Sequence, residues 1–70
     1  LPPDIAQTLD LHAAIDALEP KLKTVVMLRF FEDMKFAEIS EVTGVNINTV
    51  KSRLSAALRR LRLSLEEESL

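Results

Sequence analysis

Phe36-Ala37-Glu38-Ile39-Ser40-Glu41-Val42-Thr43, then Gly44-Val45-Asn46, then Ile47-Asn48-Thr49-Val50-Lys51-Ser52-Arg53-Leu54 is the stretch on which the fold turns. Phe36, Ile39 and Val42 recur at helical spacing and predict a short helix that presents all three on one face. Gly44 ends it, because glycine takes the left-handed cap conformation without strain. Asn46 is a good N-cap for the next helix. Beyond it Val50, Leu54, Ala57, Leu58, Leu61 and Leu65 keep one apolar stripe. A short helix, a glycine-containing turn and a longer helix make the helix-turn-helix pattern, in which the second helix lies in the major groove of DNA.

Ahead of this unit, Leu22, Val25, Val26, Met27, Leu28 and Phe30 follow Pro20, a residue suited to a first helical turn. They predict a helix to about Phe31, with Glu32-Asp33 at its exit, apolar round most of its circumference and so the expected centre of a small bundle. Leu11, Ala14, Ile15 and Leu18 predict a first helix from about residue 9 to 18, capped by Thr8 or Asp10. The reading is all-α: a small four-helix domain over 9–65 with a C-terminal helix-turn-helix. Residues 1–8, with Pro2 and Pro3, read as the end of an interdomain linker, and 66–70 as an acidic tail.

Composition bounds the rest. Seventy residues allow one domain, and 47% hydrophobic residues with a single glycine and three prolines are globular rather than disordered. No apolar run is long enough for a membrane span. Cysteine is absent, which excludes disulfides and thiolate metal sites and fits a reducing cytoplasm. The chain starts Leu1-Pro2-Pro3-Asp4 with neither an initiator Met nor a signal peptide, so a piece of a longer protein is expected. No nucleophile-base pair, glycine-rich phosphate loop or metal cluster is visible, so neither an enzyme, a cofactor nor a small-molecule substrate is expected.

The net charge of −2 argues at first against a polyanionic partner. Its distribution argues the other way. Lys51, Arg53, Arg59, Arg60 and Arg62 fall within residues 46–65, where there is no acid, and Glu66, Glu67 and Glu68 follow. With Val50 taken as the inward direction and about 100° per residue, Asn48, Ser52, Ser55 and Arg59 point away from the core. Lys51, Arg53, Arg60 and Arg62 flank them. Polar side chains for base edges with cations around them for phosphates are what groove recognition needs. A charge run alone reads as a solvated helix face; the glycine turn and the lack of acids shift the balance to nucleic acid.

At these residues the sequence resembles a known family. Ala17-Leu18-Glu19-Pro20, Val25-Val26-Met27-Leu28-Arg29-Phe30-Phe31, Ala37-Glu38-Ile39 and above all Asn48-Thr49-Val50-Lys51-Ser52-Arg53-Leu54 are similar to region 4 of extracytoplasmic-function sigma factors. The resemblance covers about residues 10 to 62, and the last string is specific in combination with the turn before it. It implies a cytoplasmic protein whose four-helix domain recognises the minus-35 element of double-stranded promoter DNA and docks on the β-subunit flap of the RNA polymerase core. An anti-sigma protein is a further implied partner. The family's base-reading and phosphate-binding positions fall on Lys51, Ser52, Ser55 and Ala56, with Thr49 and Arg53 nearby for the backbone. Ala56 and Leu58 stand where relatives often have basic residues, which shifts readout toward Lys51 and Arg59.

Three further departures concern the turns. Ser40 replaces a frequent Ala and Thr43 a frequent Leu, giving a less apolar turn. Lys35 occupies a position that commonly holds a Ser or Thr cap, so the amides of Lys35 and Phe36 are expected to be free for a phosphate. Two rivals remain: a response-regulator helix-turn-helix output domain, which also carries a Thr-Val-Lys string, and a protein-interaction module held by an anti-sigma factor. Elsewhere, Phe30 and Phe36 are expected in the core with Phe31 partly exposed, and His12 on the surface. Arg29 is open between a phosphate and an ion pair with Glu32 or Asp33.

Overall fold

Among the described residues four helices follow one another: α1 (Leu9–Asp16), α2 (Pro20–Val26), α3 (Phe36–Thr43) and α4 (Ile47–Ser69). A single π-helical turn, Met27–Phe31, prolongs α2. The computed structural model describes the backbone of residues 9–69 and the side chains of residues 11–63. The expected linker, residues 1–8, and the cap residue Thr8 lie outside the described residues; Asp10 stands inside α1 rather than ahead of it. Among the described residues there is no strand, as the all-α reading requires.

Local chemistry sets the boundaries. Pro20 opens α2, where a missing N–H removes no helical hydrogen bond. α1 stops at Asp16, earlier than expected, although Leu18 beyond it is still buried. Asp16 pairs with Lys23 at 2.9 Å and so ties α1 to α2. The hydrogen bond and positive charge of Lys23 hold the Asp16 carboxyl below the usual carboxylate range. α4 runs on through Ser69, so Leu65 and Glu66 to Glu68 lie along its backbone; their side chains are outside the described residues.

Leu11, Ile15 and Leu18 from the first helix and the turn after it meet Leu22, Val25 and Val26 of α2, and Ile39 of α3. Val50, Leu54, Ala57 and Leu61 of α4 complete the core. α4 packs on all three other helices, which makes it the hub. The expectation of α2 as the centre is therefore corrected. α2 proper has only seven residues, and the π turn widens the helix just where its apolar run continues. Met27 and Phe31 consequently emerge on the surface, while Phe30 and Phe36 are partly buried against the core.

Two other apolar residues also face outward. Val42 is 68% exposed, because it lies about 120° round α3 from Phe36, outside the face that Ile39 and Phe36 bury. Leu58 is 37% exposed, at the edge of the α4 stripe rather than within it.

Candidate nucleic-acid interface

The turn between α3 and α4 is built by backbone and hydroxyl hydrogen bonds. Gly44 adopts φ 72°, ψ 16° and donates its N–H to the Ser40 carbonyl at 2.9 Å. No heavy atom would crowd a side chain there, so the glycine is required by conformation rather than by space. Ser40 Oγ donates to the Val45 carbonyl at 2.6 Å, and Thr43 Oγ1 donates to the Ile39 carbonyl at 2.7 Å. Asn46 Oδ1 accepts the Asn48 N–H at 2.8 Å and caps α4. The two residues that made the turn look less apolar are thus its fasteners. Sequence reasoning noted their polarity but missed this use of it.

α4 leaves the turn with its two faces separated. Val50, Leu54, Ala57 and Leu61 are buried; Asn48, Ser52, Ser55 and Arg59 are exposed on the opposite side. Lys51 and Arg62 are exposed on one flank. Thr49, Arg53 and Ala56 lie half-buried on the other, Ala56 packed against the core, so only part of each is open to a partner. Arg60, on that same flank, lines a shallow cleft with Ala14, Leu18 and Glu19 at the α1–α2 connection.

The start of α3 departs from expectation. The Lys35 N–H is not free: it donates to Glu38 Oε1 at 2.9 Å. Lysine has no acceptor with which to cap the helix, but the glutamate three residues on can still reach back, the half of a capping box that remains possible. Lys35 therefore offers its exposed ammonium, not its amide, to an anion. Among the described residues Arg29 forms no ion pair with Glu32 or Asp33. It donates from Nη1 to the Met34 carbonyl at 2.9 Å and stands over the Phe36 ring, with Cζ 4.9 Å from the centroid. Lys51 Nζ approaches the same ring at 5.9 Å. Arg29 and Lys51 thus converge on the Phe36 ring from two other elements, and no spacing in the sequence signals it.

Fold and surface together define a helix-turn-helix domain with exposed cations on its last helix. The sigma-70, region 4 family model matches residues 4–61. RNA polymerase sigma factor SigV of Bacillus subtilis is 54% identical over 61 residues, covering 87% of this chain and 37% of that protein. RNA polymerase sigma-E factor of Streptomyces antibioticus is 44% identical over 57 residues, 81% of this chain and 32% of its own length. ECF RNA polymerase sigma factor SigE of Mycolicibacterium smegmatis is 37% identical over 60 residues, covering 86% and 23%. The chain belongs to the sigma-70 region 4 family, as region 4 of an extracytoplasmic-function sigma factor. It spans 37% or less of the length of these relatives. The response-regulator and interaction-module alternatives are not favoured by these matches. No helix among the described residues is long and apolar enough to cross a membrane.

Proposed function

We propose that this domain recognises the minus-35 element of a promoter through α4 and so directs RNA polymerase to initiate transcription. The observation that carries the reading is the segregation of α4: a buried apolar face opposite exposed Asn48, Ser52, Ser55 and Arg59. Asn48, Ser52 and Ser55 occupy the first turns, where a groove-bound helix meets base edges. Lys35 and Arg53 supply cations for phosphates, Lys51 and Arg59 reach both phosphates and base edges, Thr49 and Ala56 border the face, and Phe36 sits at its edge. Ser52 Oγ donates to the Asn48 carbonyl at 3.0 Å, which leaves its lone pairs available to a base.

The polymerase-facing side is the one opposite α4's recognition face, with the β-subunit flap as the contact. Exposed Met27 and Phe31 at the end of α2 supply apolar surface for it. An anti-sigma protein is a further partner. A monomeric domain with about four phosphate contacts binds weakly alone, and attachment to polymerase and to a second promoter-binding domain raises its local concentration. The protein is a DNA-binding initiation factor of the cytoplasm, not an enzyme.

Fluorescence anisotropy of a labelled duplex, titrated with the chain at several salt concentrations, tests this. Binding should weaken with a log-log slope of roughly −4, from about −0.9 per neutralised phosphate. Arg59→Glu should weaken it further at each salt concentration. Affinity that is indifferent to both salt and Arg59→Glu contradicts the reading.

A further inference from the structure

We infer that Phe36 is a positioning residue whose ring holds the Lys51 ammonium beside the recognition face, with Arg29 holding the ring in turn. The inference rests on the DNA-binding reading above and adds a specificity element to it. Three elements converge on this ring: Arg29 from the π turn after α2, Phe36 itself as the first residue of α3, and Lys51 from the second turn of α4. Arg29 Cζ lies 4.9 Å and Lys51 Nζ 5.9 Å from the ring centroid, both within the range where a cation is drawn to the aromatic quadrupole. The hydrogen bond from Arg29 to the Met34 carbonyl fixes the guanidinium in place. Among the described residues, the one ion pair joins Asp16 and Lys23, so no carboxylate draws Arg29 or Lys51 off the ring.

A free lysine side chain samples many rotamers, and immobilising it on DNA opposes binding. A ring that already confines Lys51 lowers that opposition before DNA arrives. It also fixes the direction from which the ammonium meets the groove, which matters for a residue placed to read bases. The π turn has a role in this arrangement. By adding a residue to the helical turn it swings Arg29 toward the start of α3, and the Met34 N–H returns to the Leu28 carbonyl at 3.0 Å to close the loop beneath it.

The test is a double-mutant cycle on DNA binding with Phe36→Leu and Lys51→Ala, joined to proton NMR of the Lys51 ε-methylene group without DNA. Leucine keeps apolar bulk against the core but removes the ring. In the native chain the Lys51 ε protons should resonate upfield of those of Lys21 through the ring current, and Phe36→Leu should abolish the difference. Phe36→Leu should weaken duplex binding about 2- to 5-fold when Lys51 is present and have little effect when it is Ala. Phe36→Tyr keeps the ring and should bind like the native chain even if the leucine variant melts early. Ordinary Lys51 ε shifts, or additive effects in the cycle with native DNA binding intact, overturn the inference and leave the promoter reading standing. A native chain that binds no DNA removes the promoter reading and this role together.

Discussion

The two faces of α4 are separated by half a turn of one helix: one builds the core and the other is the proposed DNA-binding face. Val50, Leu54, Ala57 and Leu61 face three other helices and complete the core; Asn48, Ser52, Ser55 and Arg59 are exposed and take no part in it. The lesson is that the core face and the proposed recognition face can be varied independently here, provided substitutions respect about 100° per residue. Leu58, at the border between the faces, marks how narrow the division is.

The sharpest break of that comparison is at Leu54. Leu54→Ala should cost about 2 to 5 kcal/mol in denaturant unfolding, as buried leucine truncations do. DNA affinity, measured where the variant is still folded, should change little. An unaltered melt would mean that the inward face is misassigned.

The turn that aims the two faces comes next. Gly44→Ala should cost about 1 to 2 kcal/mol, because the left-handed φ of 72° is strained for a side chain even in open space. Asp33 also has a positive φ, 54°, within the connection that leads into α3. Asp33→Gly should fall within about 0.5 kcal/mol of native, since relief of strain is offset by a freer unfolded chain. Equal effects at the two positions would contradict the view that only the α3–α4 turn sets the angle of recognition.

On the outward face, Arg59→Glu should leave stability within about 0.5 kcal/mol of native while lowering DNA affinity. A large loss of stability would move Arg59 from the recognition face to the scaffold. The smallest effect belongs to the pair remote from either face. The Asp16 carboxyl is held low by Lys23, so its contribution to stability is present above the ordinary carboxylate range and is lost as pH falls through the lowered value. Asp16→Asn should therefore lower the melt slightly at neutral pH, with the difference vanishing in acid. A difference that grows in acid would show that the pair is misread.

Much of this was legible because its causes are local. Gly44 and Asn46 announce their backbone conformations by residue type alone, and the end of α3 and the start of α4 follow from them. The α4 wheel placed Val50, Leu54, Ala57 and Leu61 inward and Asn48, Ser52, Ser55 and Arg59 outward, as the structure has them. What escaped depends on contacts between elements or on hydrogen-bonding choices that residue type leaves open. The π turn has no sequence signature distinct from an ordinary helix end. Arg29 could meet an acid next to it in sequence, yet it turns to the Met34 carbonyl and the Phe36 ring. Glu38 could have pointed to solvent; it takes the Lys35 amide instead. Ser40 and Thr43 looked like a loss of apolar packing, and only the folded turn reveals the carbonyls they satisfy.

The central claim is that the outward face of α4 is the surface that meets DNA. An amide chemical-shift titration of the chain with a random-sequence duplex, at low salt and again with salt added, tests it most directly and requires no knowledge of the promoter. Shifts should cluster from Asn48 to Arg59 and at Lys35 and Phe36, and fade as salt rises. Amides that stay unmoved there while the fold persists, or shifts centred on α1 and α2, would contradict the account.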